Sequence, residues 1–250
     1  MQKFKLLDLF SGIGGFSLGL ERSGGFETVA FCEIDPFCRR VLAKHWPEVP
    51  CYDDVRTITA ARLASDGISV DAICGGFPCQ DVSLAGTGAG LDGERSGLWS
   101  DYVRIVGELN ERREIQFVIV ENVAALLGRG LDRVLRDLAA LGFDAEWHCI
   151  PASYAGLRQL RDRVWIVAYP KRYSVQGRTY FTAAWRQQSR TQQLAGLVQP
   201  GSWPTISRAR DRGTGHGVPD GIHRNKSIGN AVVPQIPEII GRAIMNSVCE

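Results

Sequence analysis

Val70-Asp71-Ala72-Ile73-Cys74 runs into Gly75-Gly76-Phe77-Pro78-Cys79-Gln80-Asp81-Val82-Ser83. The first five residues read as a buried strand bounded by a glycine pair. A cysteine just past a parallel strand stands at the sheet edge where ligands collect in open α/β folds. The glycine pair lets backbone approach a ligand, and Pro78 fixes φ, so the Cys79 thiol is presented from a stiff turn. A lone cysteine more often fills a gap in a core. The company that Cys79 keeps elsewhere in the chain argues against that here.

On the amino-terminal side, Phe4–Phe10 predicts a first strand that turns through Ser11-Gly12-Ile13-Gly14-Gly15 into a helix ending near Gly24-Gly25. The turn is not the dinucleotide fingerprint, because Ser17 stands where GxGxxG requires its last glycine. Thr28–Glu33 predicts a second strand ending in an acid, and a carboxylate there suits a pair of ribose hydroxyls. Asp35 as N-cap and Pro36 as first helical residue predict a helix to His45. Cys51-Tyr52-Asp53-Asp54-Val55-Arg56 is a short acidic turn before an Ala-rich helix, which one of the two acids could cap.

On the carboxyl side, Gln80 to Gly97 carries five glycines and no apolar periodicity, which suggests a lid over substrate. Leu98–Leu109 predicts an amphipathic helix, Gln116–Val120 a strand ending at Glu121-Asn122, and Leu131–Leu141 a helix stopped by Gly142. Glu146–Ile150 and Val164–Ala168 predict an antiparallel pair at the sheet edge. Strands alternating with helices argue for a mostly parallel α/β sheet flanked by helices. Character changes at Tyr169-Pro170. Residues 170–226 predict a small irregular unit, with Tyr180, Trp185 and Trp203 packing its own core. Ser227-Ile228-Gly229-Asn230-Ala231-Val232-Val233-Pro234 leads into a last helix with Ile236, Ile240, Ala243 and Ile244 on one face. That helix should return to the first unit beside the Gly12 turn.

The opening Asp8-Leu9-Phe10-Ser11-Gly12-Ile13-Gly14-Gly15, the Cys79 stretch, Glu121-Asn122-Val123 and Gln159-Leu160-Arg161-Asp162-Arg163 resemble, in type and in order, the motifs of the C5-cytosine DNA methyltransferase family. The resemblance implies a Rossmann-like methyltransferase fold, residues 1–169 plus 227–250 forming the catalytic domain and 170–226 a target-recognition domain. It implies S-adenosylmethionine as methyl donor. Cys79 matches the nucleophile that adds to C6 of cytosine, and Glu121 the carboxyl at N3 and the exocyclic amine. Arg161 and Arg163 match the arginines that hold the base or a phosphate, and Asn122 orders the Cys79 turn. Asp8, Phe10, Gly12, Ile13, Gly14 and Gly15 would line the donor pocket, Glu33 would take the ribose and Asp54 the adenine amine. Ile34, Val55, Phe77, Pro78, Leu98, Asn230 and Ala231 would complete it. Ile34 and Ala231 depart from the family, where many members have Trp and some have Ser. Gln80, Ser83, Arg208, Arg210 and Arg212 are expected at DNA. A structural ion pair remains the plain alternative for Glu121 and Arg163.

Composition is that expected of a soluble globular protein, at 44% apolar and 22% charged residues. The longest apolar runs are too short for a membrane span, and the amino terminus lacks the pattern of a secretion signal. Seven cysteines with no CxxC pair suggest reduced thiols in a cytoplasm and no zinc site. From Lys171 to Lys226 there are ten Lys/Arg against two Asp/Glu, while the net charge of the whole chain is only +2. A basic stretch beside an acidic body points to a polyanion held on one side; the resemblance implies that this is double-stranded DNA, read by a monomeric enzyme with or without a partner restriction endonuclease. Transfer RNA as substrate and a catalytically silent DNA-binding homologue are the alternatives. A plain NAD enzyme is disfavoured by Ser17.

Overall fold

A computed structural model describes residues 2–78, 97–113, 115–155, 161–173 and 231–248. In chain order they form β1 (Phe4–Leu9), α1 (Gly15–Arg22), β2 (Phe26–Cys32), α2 (Pro36–His45), β3 (Cys51–Tyr52), α3 (Ala60–Ser65), β4 (Ala72–Gly75), α4 (Leu98–Arg112), β5 (Phe117–Val123), α5 (Leu126–Arg129), α6 (Leu131–Ala140), β6 (Phe143–Pro151), β7 (Asp162–Pro170) and α7 (Gln235–Val248). The strands make one sheet in the order β3-β2-β1-β4-β5-β7-β6. Strands β1 to β5 are parallel. β7 inserts antiparallel between β5 and the edge strand β6. This is the Rossmann-like α/β class expected from the alternation of elements, including its antiparallel edge pair. No helix among the described residues is long and apolar enough to cross a membrane.

Period-two alternation sends each strand's side chains to two cores. Leu7 and Leu9 of β1 join Ile73, Val118 and Val120 under α3, α4 and α6. Leu6, Ala72, Cys74, Phe117 and Ile119 face α1 and α7. Burial on both faces explains why the parallel strands read as continuous apolar runs.

Several boundaries differ from the sequence expectation, each for a tertiary reason. β2 begins at Phe26 because that residue pairs with Phe4, their rings 5.5 Å apart. β5 continues through Glu121-Asn122-Val123 because β7 supplies partners for those three residues, Trp165, Val164 and Arg163. Cys51–Tyr52 is a strand too short to announce itself, formed where Phe31 and Cys32 offer an open edge. Neither Asp53 nor Asp54 caps α3. Thr59 does so by accepting from Arg62 N, and Glu108 accepts the Ala60 N–H at 2.9 Å. The α2 start is as expected, with Asp35 accepting from Phe37 N at 2.8 Å and Pro36 following it.

α7 returns to α1, as its apolar stripe requires. Ile236, Ile240 and Ile244 are buried against Phe16 and Leu20. The approach is close because α1 offers glycines: a Cβ at Gly15 would strike the Val232 carbonyl, and one at Gly19 the Pro234 carbonyl and, at 2.6 Å, Pro237 Cγ. Gly19→Ala therefore sets two terms against each other. Helix propensity favours Ala by about 1 kcal/mol, while overpacking against a backbone carbonyl costs about 1–3 kcal/mol. The clash wins, and urea denaturation should show a net loss on the order of 1–2 kcal/mol. An unchanged midpoint would mean that the two helices do not meet there.

Candidate active site

The turns after β1, β2, β3, β4 and β5 all open at the carboxyl edge of the sheet, at the point where strand order reverses between β1 and β4. The first turn is strained and braced. Phe10 has φ 55, a left-handed conformation rare for a side-chain-bearing residue and costing on the order of 1 kcal/mol. Ser11 holds it: its Oγ donates to Asp8 O at 2.6 Å and accepts from Cys32 N at 3.2 Å, and its N–H donates to Cys32 O at 3.1 Å. Gly12 and Gly14 follow with φ 54 and φ 85. Gly14 is pressed against Trp46 and Leu42, whereas a Cβ on Gly12 would meet no atom within 4 Å. The open side of the turn is therefore at Gly12.

Glu33 lies directly across from it. Its two oxygens accept the Gly12 N–H at 2.7 Å and the Asp35 N–H at 2.8 Å, tying the end of β2 to the glycine turn. Ile34 projects from the same corner, 73% exposed, a large apolar side chain at the mouth of a polar turn. Together the open Gly12 edge, the Glu33 carboxylate and the bare Ile34 surface fit an adenosyl group with its ribose. The fit is poorer elsewhere. Asp54 is already engaged by Arg56, whose Nη2 lies 2.7 Å from Oδ2 and whose Nε lies 2.9 Å from Oδ1. That pairing holds the Asp54 carboxyl below its usual range. The Val55 and Phe77 side chains are buried in the core, so these residues shape the wall from behind. Pro78 and Leu98 are half-buried at its rim, as is Ala231 ahead of α7.

Asp8 departs further from expectation. Its side chain is wholly buried, with Oδ2 accepting from Ser17 Oγ at 2.7 Å and Oδ1 without a hydrogen-bond partner. It faces α1 beneath the glycine turn and cannot touch a ligand above it. Ser17, which disqualified the dinucleotide pattern, is thus the hydroxyl that joins α1 to β1. A serine on the buried face of an otherwise apolar helix start was the signal available in the sequence.

Burial pushes the Asp8 carboxyl up to about 7 from an ordinary 3.8, against the opposing hydrogen bond from Ser17. A carboxyl whose value is raised on folding binds its proton more tightly in the native state. Its favourable contribution is complete below about 4 and is lost as pH rises through about 7. Asp8→Asn should remove this dependence. Urea unfolding at pH 5 and pH 8 should show wild type losing on the order of 3 kcal/mol relative to the variant across that interval. Parallel pH curves for the two proteins would exclude a buried titrating Asp8.

The second half of the site gathers around Glu121. Its side chain is buried, and Arg163 Nε lies 2.9 Å from Oε1 across the β5–β7 ladder. Burial raises the Glu121 carboxyl, opposed by the charges of Arg163 and Arg161. Burial and the neighbouring Arg163 lower Arg161. So the ion pair foreseen as the plain alternative does form, but its carboxylate also faces the Cys79 turn. Glu121 Oε2 would lie 2.8 Å from a Cβ on Gly76. Asn122 Nδ2 donates to the Phe77 carbonyl at 3.2 Å. The Phe77 ring is wedged against Trp99, 5.1 Å between centroids, and Trp99 stacks on Tyr102. Asn122 and this aromatic column hold the backbone immediately ahead of Cys79 from both sides. Cys79, Gln80, Ser83, Arg208, Arg210, Arg212 and Asn230 lie outside the described residues, as does most of 170–226.

The family model for C-5 cytosine-specific DNA methylase matches residues 4–207. The chain belongs to that family. Among curated relatives, it is 36% identical over 168 residues to the type II methyltransferase M2.BsuMI of Bacillus subtilis, covering 66% of this chain and 41% of that protein. It is 35% identical over 181 residues to M.HgiBI of Herpetosiphon aurantiacus, covering 71% and 40%. The chain thus spans about two fifths of the length of these two relatives. Two solved methyltransferases share the fold. EhMeth of Entamoeba histolytica superposes with TM-score 0.70 at 13% identity, each chain covered in full. Dnmt2 of S. pombe superposes with TM-score 0.61 at 18% identity over 79% of this chain and 57% of its own.

Proposed function

We propose that this member of the C-5 cytosine-specific DNA methylase family is a DNA (cytosine-5)-methyltransferase acting through Cys79. The observation that supports the reading is the Glu121 carboxyl: buried, paired with Arg163, and facing Gly76, three positions ahead of Cys79 in the sequence. S-adenosylmethionine bound above Gly12 would supply an electrophilic methyl group.

The chain's own residues then have separable tasks. Carbon 5 of cytosine is a weak nucleophile, and the Cys79 thiolate activates it by adding to C6, pushing the ring electrons toward C5 and N3. Glu121, protonated, gives its proton to N3 and so stabilises the adduct. Its raised affinity for protons, caused by burial, suits it to that step. Arg163 fixes the carboxyl in place and stabilises the carboxylate left once the proton has been given up, while Arg161 adds positive potential that favours the thiolate. C5 would then take the methyl group, leaving the donor as a neutral thioether; a base removes the C5 proton, N3 returns its proton to Glu121, and the re-formed C5–C6 double bond expels the Cys79 sulfur as thiolate. Asn122 and Phe77 keep the turn still throughout, which matters because misplacement by about 1 Å can cost 10²-fold.

Residues 1–169 with 227–250 form the catalytic unit in this reading, and 170–226, with Arg208, Arg210 and Arg212, hold the duplex while the target base is flipped out at a cost of a few kcal/mol. A restriction endonuclease as biological partner belongs to the same proposal. The test is adduct formation. Protein incubated with S-adenosylmethionine and duplex DNA containing 5-fluorocytosine should give a denaturation-resistant complex, because fluorine at C5 cannot be removed as a proton. Methylation of ordinary cytosine without such a complex would reject the covalent route. Methyl transfer to RNA and not to DNA in parallel assays would reject the substrate.

A further inference from the structure

Gly76 has no backbone need to be glycine. Its φ lies outside the left-handed range in which glycines of this chain such as Gly12, Gly14 and Gly142 are found. What surrounds it is equally specific. The three atoms nearest to a Cβ built at Gly76 all belong to Glu121: Oε2 at 2.8 Å, the backbone oxygen at 3.4 Å and Cδ at 3.9 Å. Elsewhere among the described glycines the close contacts are backbone carbonyls, as at Gly75 with Leu9, apolar side chains, as at Gly25 with Met245, or the Ser23 hydroxyl at Gly241. Among the described glycines, Gly76 is the one that faces a carboxylate.

We propose that Gly76 is a positioning residue for Glu121, its missing side chain being the space that the outer carboxyl oxygen occupies while Arg163 holds the inner one. Arg163 Nε fixes Oε1 at 2.9 Å, and Glu121 is drawn into the sheet by its pairing with Trp165. A methyl group at position 76 would rotate Oε2 away and pull Oε1 off Arg163. The reaction would then lose its aligned proton donor. This rests on the reading of Glu121 as the group that serves N3.

The experiment is a double-mutant cycle between Gly76→Ala and Glu121→Asp, whose carboxyl is shorter by one methylene and retreats from position 76. Gly76→Ala should lower kcat about 10²-fold with little change in KM for S-adenosylmethionine. In the Glu121→Asp background the same alanine should cost less than about threefold. An equal loss in both backgrounds overturns the proposal. So does a Gly76→Ala protein with wild-type kcat. A second readout needs no turnover. The 13C resonance of the Glu121 carboxyl should titrate at higher pH in Gly76→Ala than in wild type, because the carboxylate has lost Arg163. An unmoved midpoint refutes the assignment even if the chain methylates nothing, whereas wild type without methyl transfer would refute only the reading it rests on.

Discussion

Cys79→Ala should leave no measurable methyl transfer to duplex DNA if the proposed function holds, while affinity for S-adenosylmethionine should stay within about twofold of wild type. The asymmetry follows from the proposed division of labour. Cys79 would attack the base, and the structural features that fit the donor lie after β1 and β2, at Gly12, Glu33 and Ile34. Removing the sulfur takes away the only group proposed to activate C5, so the loss approaches the full covalent contribution and is larger than any positioning defect. DNA binding should persist, because phosphate contacts supply most of the affinity and none depends on the thiol. The measurement is tritium transfer from labelled donor alongside calorimetric titration of the donor. Retention of even a tenth of wild-type kcat would place the nucleophile elsewhere.

Glu121→Gln is the second large effect. The amide keeps the size of the carboxyl and can still meet Arg163, but it has no proton to give. A general-acid loss of about 10²–10⁴ in kcat is expected. The pH profile separates this from simple disruption. Because burial raises the Glu121 carboxyl, the reactive protonated form is depleted as pH climbs, and wild-type kcat should fall on the alkaline side. The proposed need for a thiolate at Cys79 would produce the opposite limb. In the Gln variant the alkaline limb should vanish and the acid limb remain. A variant profile with the wild-type shape, merely scaled down, would show that Glu121 is not the group titrating there.

Much of this site was legible because its parts sit where local rules put them. Glycine and proline mark the Cys79 turn, Asp35-Pro36 marks the start of α2, and acids follow the ends of β2 and β3. Periodicity separated the helices from the strands and set the antiparallel edge pair apart. Other features were hidden. The two-residue β3 exists only because β2 has an open edge. The partner that occupies Asp54 is a neighbour two positions away, Arg56, which the sequence displayed without saying which of several carboxylates it would choose. Asp8 read as a pocket residue because it opens the glycine turn. Strand alternation instead points it down, into the layer beneath α1.

By itself, the amino-acid sequence determined the alternation of elements, the family, and which residue types arrive at the carboxyl edge of the sheet, since these depend on propensity and pattern over a few neighbouring positions. Only the tertiary structure decided how those residues divide the work. Phe77 and Asn122 are 45 positions apart in the chain yet share a hydrogen bond. Gly76 owes its proximity to Glu121 to β4 lying beside β5. Arg163 reaches the same carboxyl because β7 runs antiparallel to β5 in one particular register. Sheet order and register are global minima of packing, set by both apolar layers at once, and no local stretch carries enough information to specify them.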